Sequence, residues 1–205
     1  MTYKEEFDVT GPASTIQAQQ TAESLLCDDL PARWAHVQRV AATAEDLALD
    51  LAQRDALDPE AVTLAVTAAW LHDLGYARGL ITTGFHPLDG AMWLREHGWS
   101  PDVTGLVAHH SLAIVEATRR GVDGELRDFV DEPGLVRDVL WVADATSGPT
   151  GEVVTINARL TDVIARYGPD HLVSQCMVDV AAAALAAQQR LEARCVDGAG
   201  DRATA

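Results

Sequence analysis

The sequence has few cysteines, few aromatic residues and no long apolar run. Its three cysteines, Cys27, Cys176 and Cys195, are odd in number and far apart. This spacing excludes a disulfide framework or a zinc knuckle and indicates a reduced, cytoplasmic protein. The N-terminus lacks a basic segment followed by an apolar one, so we expect no signal peptide. The longest apolar stretch, residues 180–187, is too short to cross a bilayer.

Positive charge is also scarce. Fifteen Lys and Arg residues against 31 Asp and Glu residues leave a formal net charge of -16. A surface this acidic repels nucleic acids and anionic membranes, so we expect neither as a partner. A small anionic substrate, for example a phosphorylated one, stays compatible with this charge if bound cations reverse the local field.

Helix start and stop signals divide the 205 residues into an all-α pattern that fits one domain. No stretch alternates with period two for long enough to predict a strand. The run from residue 61 to residue 74 is apolar nearly all round, which is typical of a buried helix. Further helices are predicted to begin at residues 31, 86 and 101, the last continuing through an apolar stripe that ends at residue 114. Others are predicted near residues 12–27, 125–130, 132–143, 155–167 and 169–194.

Histidine and aspartate in apolar surroundings are the main chemical signal. His72 and Asp73 are adjacent at the end of the apolar helix, and Gly75 is expected to let the chain turn sharply away. Burying one unpaired ionisable group costs several kcal/mol, so several of them on different helices require mutual compensation. A bound cation would supply that compensation.

The pattern H…HD…D resembles the signature of the HD superfamily of metal-dependent phosphohydrolases. It is carried by His36, His72, Asp73 and Asp144, and the resemblance covers about residues 31–167. It implies a single compact helical domain with a metal site between helices and those four residues as ligands of a first metal ion. We accordingly predict an HD domain at 31–195, a packed helical extension at 1–30 and a disordered tail at 196–205.

Two further elements match the subset of the superfamily that binds two metals. By this resemblance Asp73 would bridge to a second ion, whose other ligands would be His86 and either His109 or His110. The helical stripe through residues 103, 106, 107 and 114 includes His110, so we favour His110 as the ligand and His109 as a second layer or substrate contact. Such a mixed set suits one or two Mn²⁺, Fe²⁺, Co²⁺, Ni²⁺ or Zn²⁺ ions.

The expected mechanism is attack of a metal-activated water on phosphorus. Asp73 could also accept the proton of that water. Arg33 and Arg78 are candidate phosphate contacts, and residues 146–148 after Asp144 could offer hydroxyl and backbone donors. Many relatives have lysine three residues after the HD aspartate, whereas this chain has Tyr76.

Three functions remain open from the sequence. The first is a metal-dependent phosphohydrolase acting on a small phosphomonoester or nucleotide. The second is a mixed-valent di-iron oxygenase of the same superfamily, for which Tyr76 leaves room. The third is a non-catalytic module that keeps the fold. The alanine-rich segment at 180–187 could pack in the core or against a second subunit, so a homodimer is possible.

Overall fold

The computed structural model describes residues 12–200, with side chains described for residues 15–194. Regular structure in this part of the chain is helical, apart from one isolated antiparallel bridge between Ser147 and Val153. The all-α prediction is therefore confirmed. The helices are α1 (Pro12–Leu26), α2 (Pro31–Ala52), α3 (Pro59–Leu71), α4 (His86–Glu96), α5 (Pro101–Ala108), α6 (Ala113–Arg120), α7 (Asp123–Leu126), α8 (Leu135–Ala145), α9 (Ile156–Tyr167) and α10 (Leu172–Gly200). Short 3-10 turns lie at Leu74–Tyr76, Arg78–Leu80 and His110–Leu112.

Several helices begin where local chemistry requires it. The Asp58 side chain accepts from the backbone N–H of Ala61 at 2.8 Å, and Pro59 fills the first position of α3. Ser100 caps α5 in the same way, ahead of Pro101. These residues satisfy helix N–H groups that have no partner within the helix, which is why the sequence predicts these starts correctly.

Helix α3 lies at the centre of the bundle, packed against α1, α2, α5 and α8. Its buried positions Ala65, Ala68 and Ala69 are small. So are the facing α2 positions Ala41, Ala44 and Ala48. Short side chains at a crossing let helix backbones approach closely, so the end of α3 is held rigidly beside α2. Helix α1 also packs on α3, where Ala18, Ala22 and Leu26 are fully buried in a second apolar cluster.

The predicted continuous helix from 101 to 114 is wrong. Helix α5 ends at Ala108, and the backbone then enters the left-handed region at Ser111 (φ 49°) and Leu112 (φ 53°) before α6 begins. Residues other than glycine rarely adopt this conformation, which costs about 1–3 kcal/mol each. The surrounding packing imposes this break, and an apolar stripe cannot reveal it.

Two helix boundaries also differ from expectation. Helix α8 starts at Leu135, not at Glu132, because a residue that precedes a proline disfavours the helical conformation and Glu132 precedes Pro133. Helix α10 continues to Gly200, so residues 196–200 are helical although the sequence predicts a tail there. Residues 1–11 and 201–205 lie outside the described part.

The alanine-rich segment of α10 packs within the chain. Ala181, Ala184 and Ala187 are buried, and α10 lies against α8 and α9. Arg190 donates two hydrogen bonds to the buried carboxylate of Asp138 on α8, at 2.7 and 2.8 Å. This pair holds α10 in place beside the first turn of α8. None of the described helices combines the length and apolar character that crossing a bilayer requires.

Candidate metal centre

Side chains from five separate places in the chain converge beside the end of α3. His36 lies in the second turn of α2, Asp144 lies near the end of α8, and the other four follow or begin helices. They form two groups whose possible ligand atoms lie within 4.8 Å of one another: His36, His72 and Asp144 in one, and Asp73, His86 and His110 in the other. The six side chains were all predicted as ligands.

Asp73 joins the two groups through its two carboxylate oxygens. Its Oδ2 lies 3.3 Å from His72 Nε2 and 3.5 Å from His36 Nε2. Its Oδ1 lies 3.3 Å from His86 Nε2 and 3.8 Å from His110 Nε2. Each oxygen therefore faces one group, as a carboxylate shared between two cations requires.

The outward ring nitrogens are fixed by backbone carbonyls. His36 Nδ1 lies 2.9 Å from the carbonyl oxygen of Gly148. His72 Nδ1 and His110 Nδ1 lie 2.8 and 2.7 Å from carbonyl oxygens of the preceding helical turn. A carbonyl can only accept, so each Nδ1 carries a proton, and each Nε2 faces the cluster, where it can direct a lone pair when its ring is neutral. This arrangement is typical of metal-ligating histidines.

The inward atoms need a positive charge between them. His72 Nε2 is buried and has no hydrogen-bond partner. His86 Nε2 and His110 Nε2 lie only 3.1 Å apart, and His36 Nε2 lies 3.1 Å from Asp144 Oδ1. Lone pairs facing one another at such distances repel unless a proton or a cation lies between them. The residues present therefore fit a site for one or two divalent cations.

The electrostatics of the cluster support the same conclusion. Burial favours the neutral form of Asp73, but the nearby Arg33 and His72 outweigh it and hold the pKa of this carboxyl well below its usual range. Hydrogen bonding to His36 and the charge of His72 likewise outweigh burial and lower the pKa of Asp144. Burial, with the neighbouring His86 and His72, lowers the pKa of His110 to about 3. Two ionised carboxylates thus face a neutral imidazole.

Arg33 and Tyr76 close one side of the cluster. Arg33 Nη1 lies 2.6 Å from Asp73 Oδ2, and its guanidinium lies over the Tyr76 ring, 4.1 Å from the centroid. The other face of Tyr76 stacks on His86, with centroids 4.0 Å apart. Tyr76 thus replaces the lysine of many relatives with a ring that supports two members of the site.

Two predicted site residues lie elsewhere. His109 points away from the cluster, and its Nε2 lies 2.9 Å from the carbonyl oxygen of Phe129. Among the adjacent pair, only His110 belongs to a candidate metal group. The chain leaves the α-helix at Ala108, so the turn that follows directs the two rings, and the His110 ring faces the cluster. Arg78 is exposed and does not line the cavity beside the cluster, which makes it a poor phosphate contact.

The loop after Asp144 has a different role from the one predicted. The Thr146 and Ser147 hydroxyls donate to carbonyls of α8, at 2.7 and 2.8 Å from Val142 and Ala143. The Gly148 N–H donates within its own loop, while its carbonyl holds His36. These residues therefore fix the geometry of the site and leave no free donor for a substrate.

The structure adds residues that the sequence did not indicate. Ser111, in the strained break, donates from its Oγ to Asp144 Oδ2. A cavity of about 180 Å³ opens beside the cluster, and Arg159 and Arg166 of α9 line it together with Arg33. Both arginines lie on α9, the helix that follows the loop after Asp144, and no sequence motif indicates them.

The HD domain family matches residues 33–170, most of the chain. The chain belongs to the HD domain family. A comparison with curated proteins and one with solved structures give no match. In this HD domain the six histidine and aspartate side chains converge, and α10, which forms one wall of the cavity, follows the matched segment.

Proposed function

We propose that this protein is a metal-dependent phosphohydrolase that acts on a small phosphomonoester or nucleotide. The observation that carries the proposal is the pair of ligand groups joined by Asp73 at the edge of an open cavity. Divalent cations held there would acidify water and neutralise charge that builds on phosphoryl oxygens. The family membership supports this class of chemistry.

Basic residues around the cavity favour an anionic substrate. Arg33 uses one nitrogen for Asp73 and remains partly exposed, so its other N–H groups can donate to a phosphoryl oxygen. Arg159 adds positive charge to the same cavity, and Arg166, which pairs with Asp162, lines it as well, although the net charge of the whole chain is negative. Local charge of this sign raises the concentration of anions at the cavity.

We assign Asp73 to holding the two ligand groups together. A carboxyl whose pKa lies well below its usual range is a weak base, so proton acceptance from water is a poor role for it. Its pairing with Arg33 and its position between four imidazoles serve geometry instead. Arg33 therefore orients Asp73 and, through the stack with Tyr76, also His86.

The oxygenase alternative would use the same ligands, but the structure adds little support for it. Its support in the sequence was Tyr76, and the stack between Arg33 and His86 gives that ring a positioning role in either chemistry. The arginines of the cavity favour phosphate instead. Reconstitution with iron under anaerobic conditions, followed by electron paramagnetic resonance, separates the two. A coupled Fe(II)/Fe(III) signal with substrate-dependent oxygen uptake would favour the oxygenase.

A metal-loading assay tests the hydrolase proposal. The protein is stripped with a chelator and reloaded separately with Mn²⁺, Fe²⁺, Co²⁺, Ni²⁺ or Zn²⁺. Phosphate release is then measured over a panel of phosphomonoesters and nucleotides. We expect turnover with at least one metal, a loss of about 100-fold or more in Arg33→Ala, and little change in Arg78→Ala, the matched arginine outside the cavity. No release from any compound with any metal would refute the proposal.

The proposal also includes the cellular location of the protein and its partners. We propose a cytoplasmic protein, as the free Cys27 and Cys176 suggest, and no nucleic-acid or membrane partner, as the net charge of -16 suggests. A homodimer through the exposed face of α10 is also proposed; sedimentation of the purified protein tests it.

A further inference from the structure

The cavity beside the metal centre has two walls of different chemistry. Helix α9 contributes Arg159 and Arg166 beside Val163 and Tyr167, and Arg166 is paired with Asp162 of the same helix, so Arg159, which has no ion-pair partner among the described residues, gives this wall its positive charge. Helix α10 contributes Val173, Met177 and Val180, which recur at helical spacing and lie on one face. The fourth α10 side chain at the cavity is Cys176, whose sulfur already accepts from Arg119 Nη1 at 3.1 Å. A substrate whose phosphoryl group lies at the ligand cluster would extend its alcohol part between these walls.

The α10 side chains face open space and are not core residues. Val173, Met177 and Val180 are half-buried, whereas the neighbouring Ala181 and Ala184 are fully packed against the bundle. Val178, on the opposite face of α10, is 52% exposed and lies outside the cavity. Covering a half-exposed apolar stripe with an apolar group is favourable because that surface leaves water.

Hydroxyl groups would find few partners at this wall. The three side chains of the α10 stripe offer no hydrogen-bond donor or acceptor beyond the weak thioether of Met177. A substrate rich in hydroxyls would lose its water there without replacement hydrogen bonds. Such unpaired groups are what a site of this kind rejects most strongly.

The volume of the cavity limits the size of the group. The cavity measures about 180 Å³. A closed apolar cavity of roughly 150 Å³ is enough to hold benzene. The ligand cluster also lines this cavity, so a phosphoryl group would share the space, and the remainder fits a group of about one six-membered ring and is small for a nucleoside.

We infer that the substrate is a phosphomonoester whose alcohol part is one small apolar group, such as a single alicyclic or aromatic ring, held against Val173, Met177 and Val180. The inference rests on the proposed phosphohydrolase function and names its substrate class. The wall that carries it lies beyond residue 170, so the family match says nothing of it. Met177, in the middle of the stripe, is the specificity-determining residue.

Binding of inert phosphonates to the Mn²⁺-loaded protein tests the wall without turnover. Phenylphosphonate and methylphosphonate share a head group and differ in the apolar part. By isothermal titration calorimetry we expect phenylphosphonate to bind about tenfold more tightly or better. Met177→Gln keeps the length of the side chain and adds an amide, and it should reduce this ratio at least threefold while leaving methylphosphonate unaffected.

Two further variants serve as an alternative test and as a control. Val180→Thr keeps the shape of the wall while adding a hydroxyl, and it should shift the ratio in the same direction if Met177→Gln folds poorly. Val178→Gln makes the corresponding polar change on the exposed face and should leave both affinities as they are. Equal affinities of the two phosphonates for the parent protein would overturn the inference, and so would an unchanged ratio in both cavity variants.

Turnover separates this inference from the proposed function. Cyclohexyl phosphate and inositol 1-phosphate have the same ring and differ by hydroxyl groups. We expect kcat/KM to favour the cyclohexyl ester by about tenfold or more. Release of phosphate from both esters at equal rates would refute the apolar wall and retain the phosphohydrolase. No release from either ester, with the phosphonate preference intact, would refute the phosphohydrolase and retain the apolar wall.

Discussion

Gly75 provides the sharpest test of how the fold positions the candidate metal centre. It lies in the turn directly after the His-Asp pair, where the backbone touches the start of α4. A Cβ built on Gly75 would lie 2.0 Å from the carbonyl oxygen of His86 and 2.7 Å from the amide nitrogen of Gly90. The glycine is therefore needed for close approach of two backbones, and not for the sharp turn that the sequence suggested.

The size of the effect follows from those distances. Real Cβ contacts under 3.0 Å are essentially never seen, so Gly75→Ala must move the His86 backbone by about 1 Å or more. We expect a loss of about 1–3 kcal/mol in the free energy of unfolding. Metal ligation tolerates only about 0.2 Å, so the group of Asp73, His86 and His110 should also lose its ion while the other group keeps one.

Gly79→Ala is the matched control because nothing lies within 4 Å of its added Cβ. Urea unfolding in EDTA measures stability, and elemental analysis after dialysis against Mn²⁺ measures the metal content. We expect Gly79→Ala to stay within about 0.5 kcal/mol of the parent and to bind as many ions. If the two variants behave alike in both assays, the argument from backbone contact is wrong.

The remaining predictions concern the cluster itself. His72→Ala and Asp73→Ala should abolish turnover and leave the helical circular dichroism spectrum intact; an active variant of either would contradict the assigned site. Ser111→Ala removes the hydrogen bond to Asp144 and should weaken metal binding by about tenfold, and Ser111→Gly, which relieves the backbone strain, should not restore it. EDTA should lower Tm, since an ion present at 100 times its Kd adds about 2.7 kcal/mol; an unchanged Tm would argue against bound metal. In the folded protein the pKa values of Asp73 and Asp144 lie below their ordinary ones, so their contribution to stability is present above about pH 4 and is lost as pH falls further. Acid unfolding of the apoprotein should show this loss of stability, and Asp144→Asn should make the free energy of unfolding depend less on pH.

The sequence predicted the helical fold well where local chemistry determines the structure. The caps at Asp58 and Ser100 and the first-turn prolines act within one helical turn, so the starts of α3 and α5 can be read directly. The six candidate ligands were also predicted, four from a resemblance to the H…HD…D pattern of the HD superfamily and His86 and His110 from a resemblance to its two-metal subset. The helix starts depend on residues that are close together in the sequence, and the candidate ligands follow a recurring residue pattern.

Other features depend on packing between distant segments and could not be read from periodicity. The break at Ser111 looks like the middle of a helix in sequence, yet it interrupts the helical path after His110 and brings a hydroxyl to Asp144. Arg159 reaches the cavity only because α9 folds back beside the cluster.

What the sequence determined by itself is the helical class, several of the helix starts and the candidate ligands, with His110 favoured over His109, since these follow from local hydrogen bonding, helical spacing and a recurring residue pattern. The tertiary structure alone decided which carbonyl His109 faces instead, why Gly75 cannot carry a side chain and which helices enclose the cavity. Those features depend on distances between residues far apart in the chain, and such distances exist only once the helices have packed.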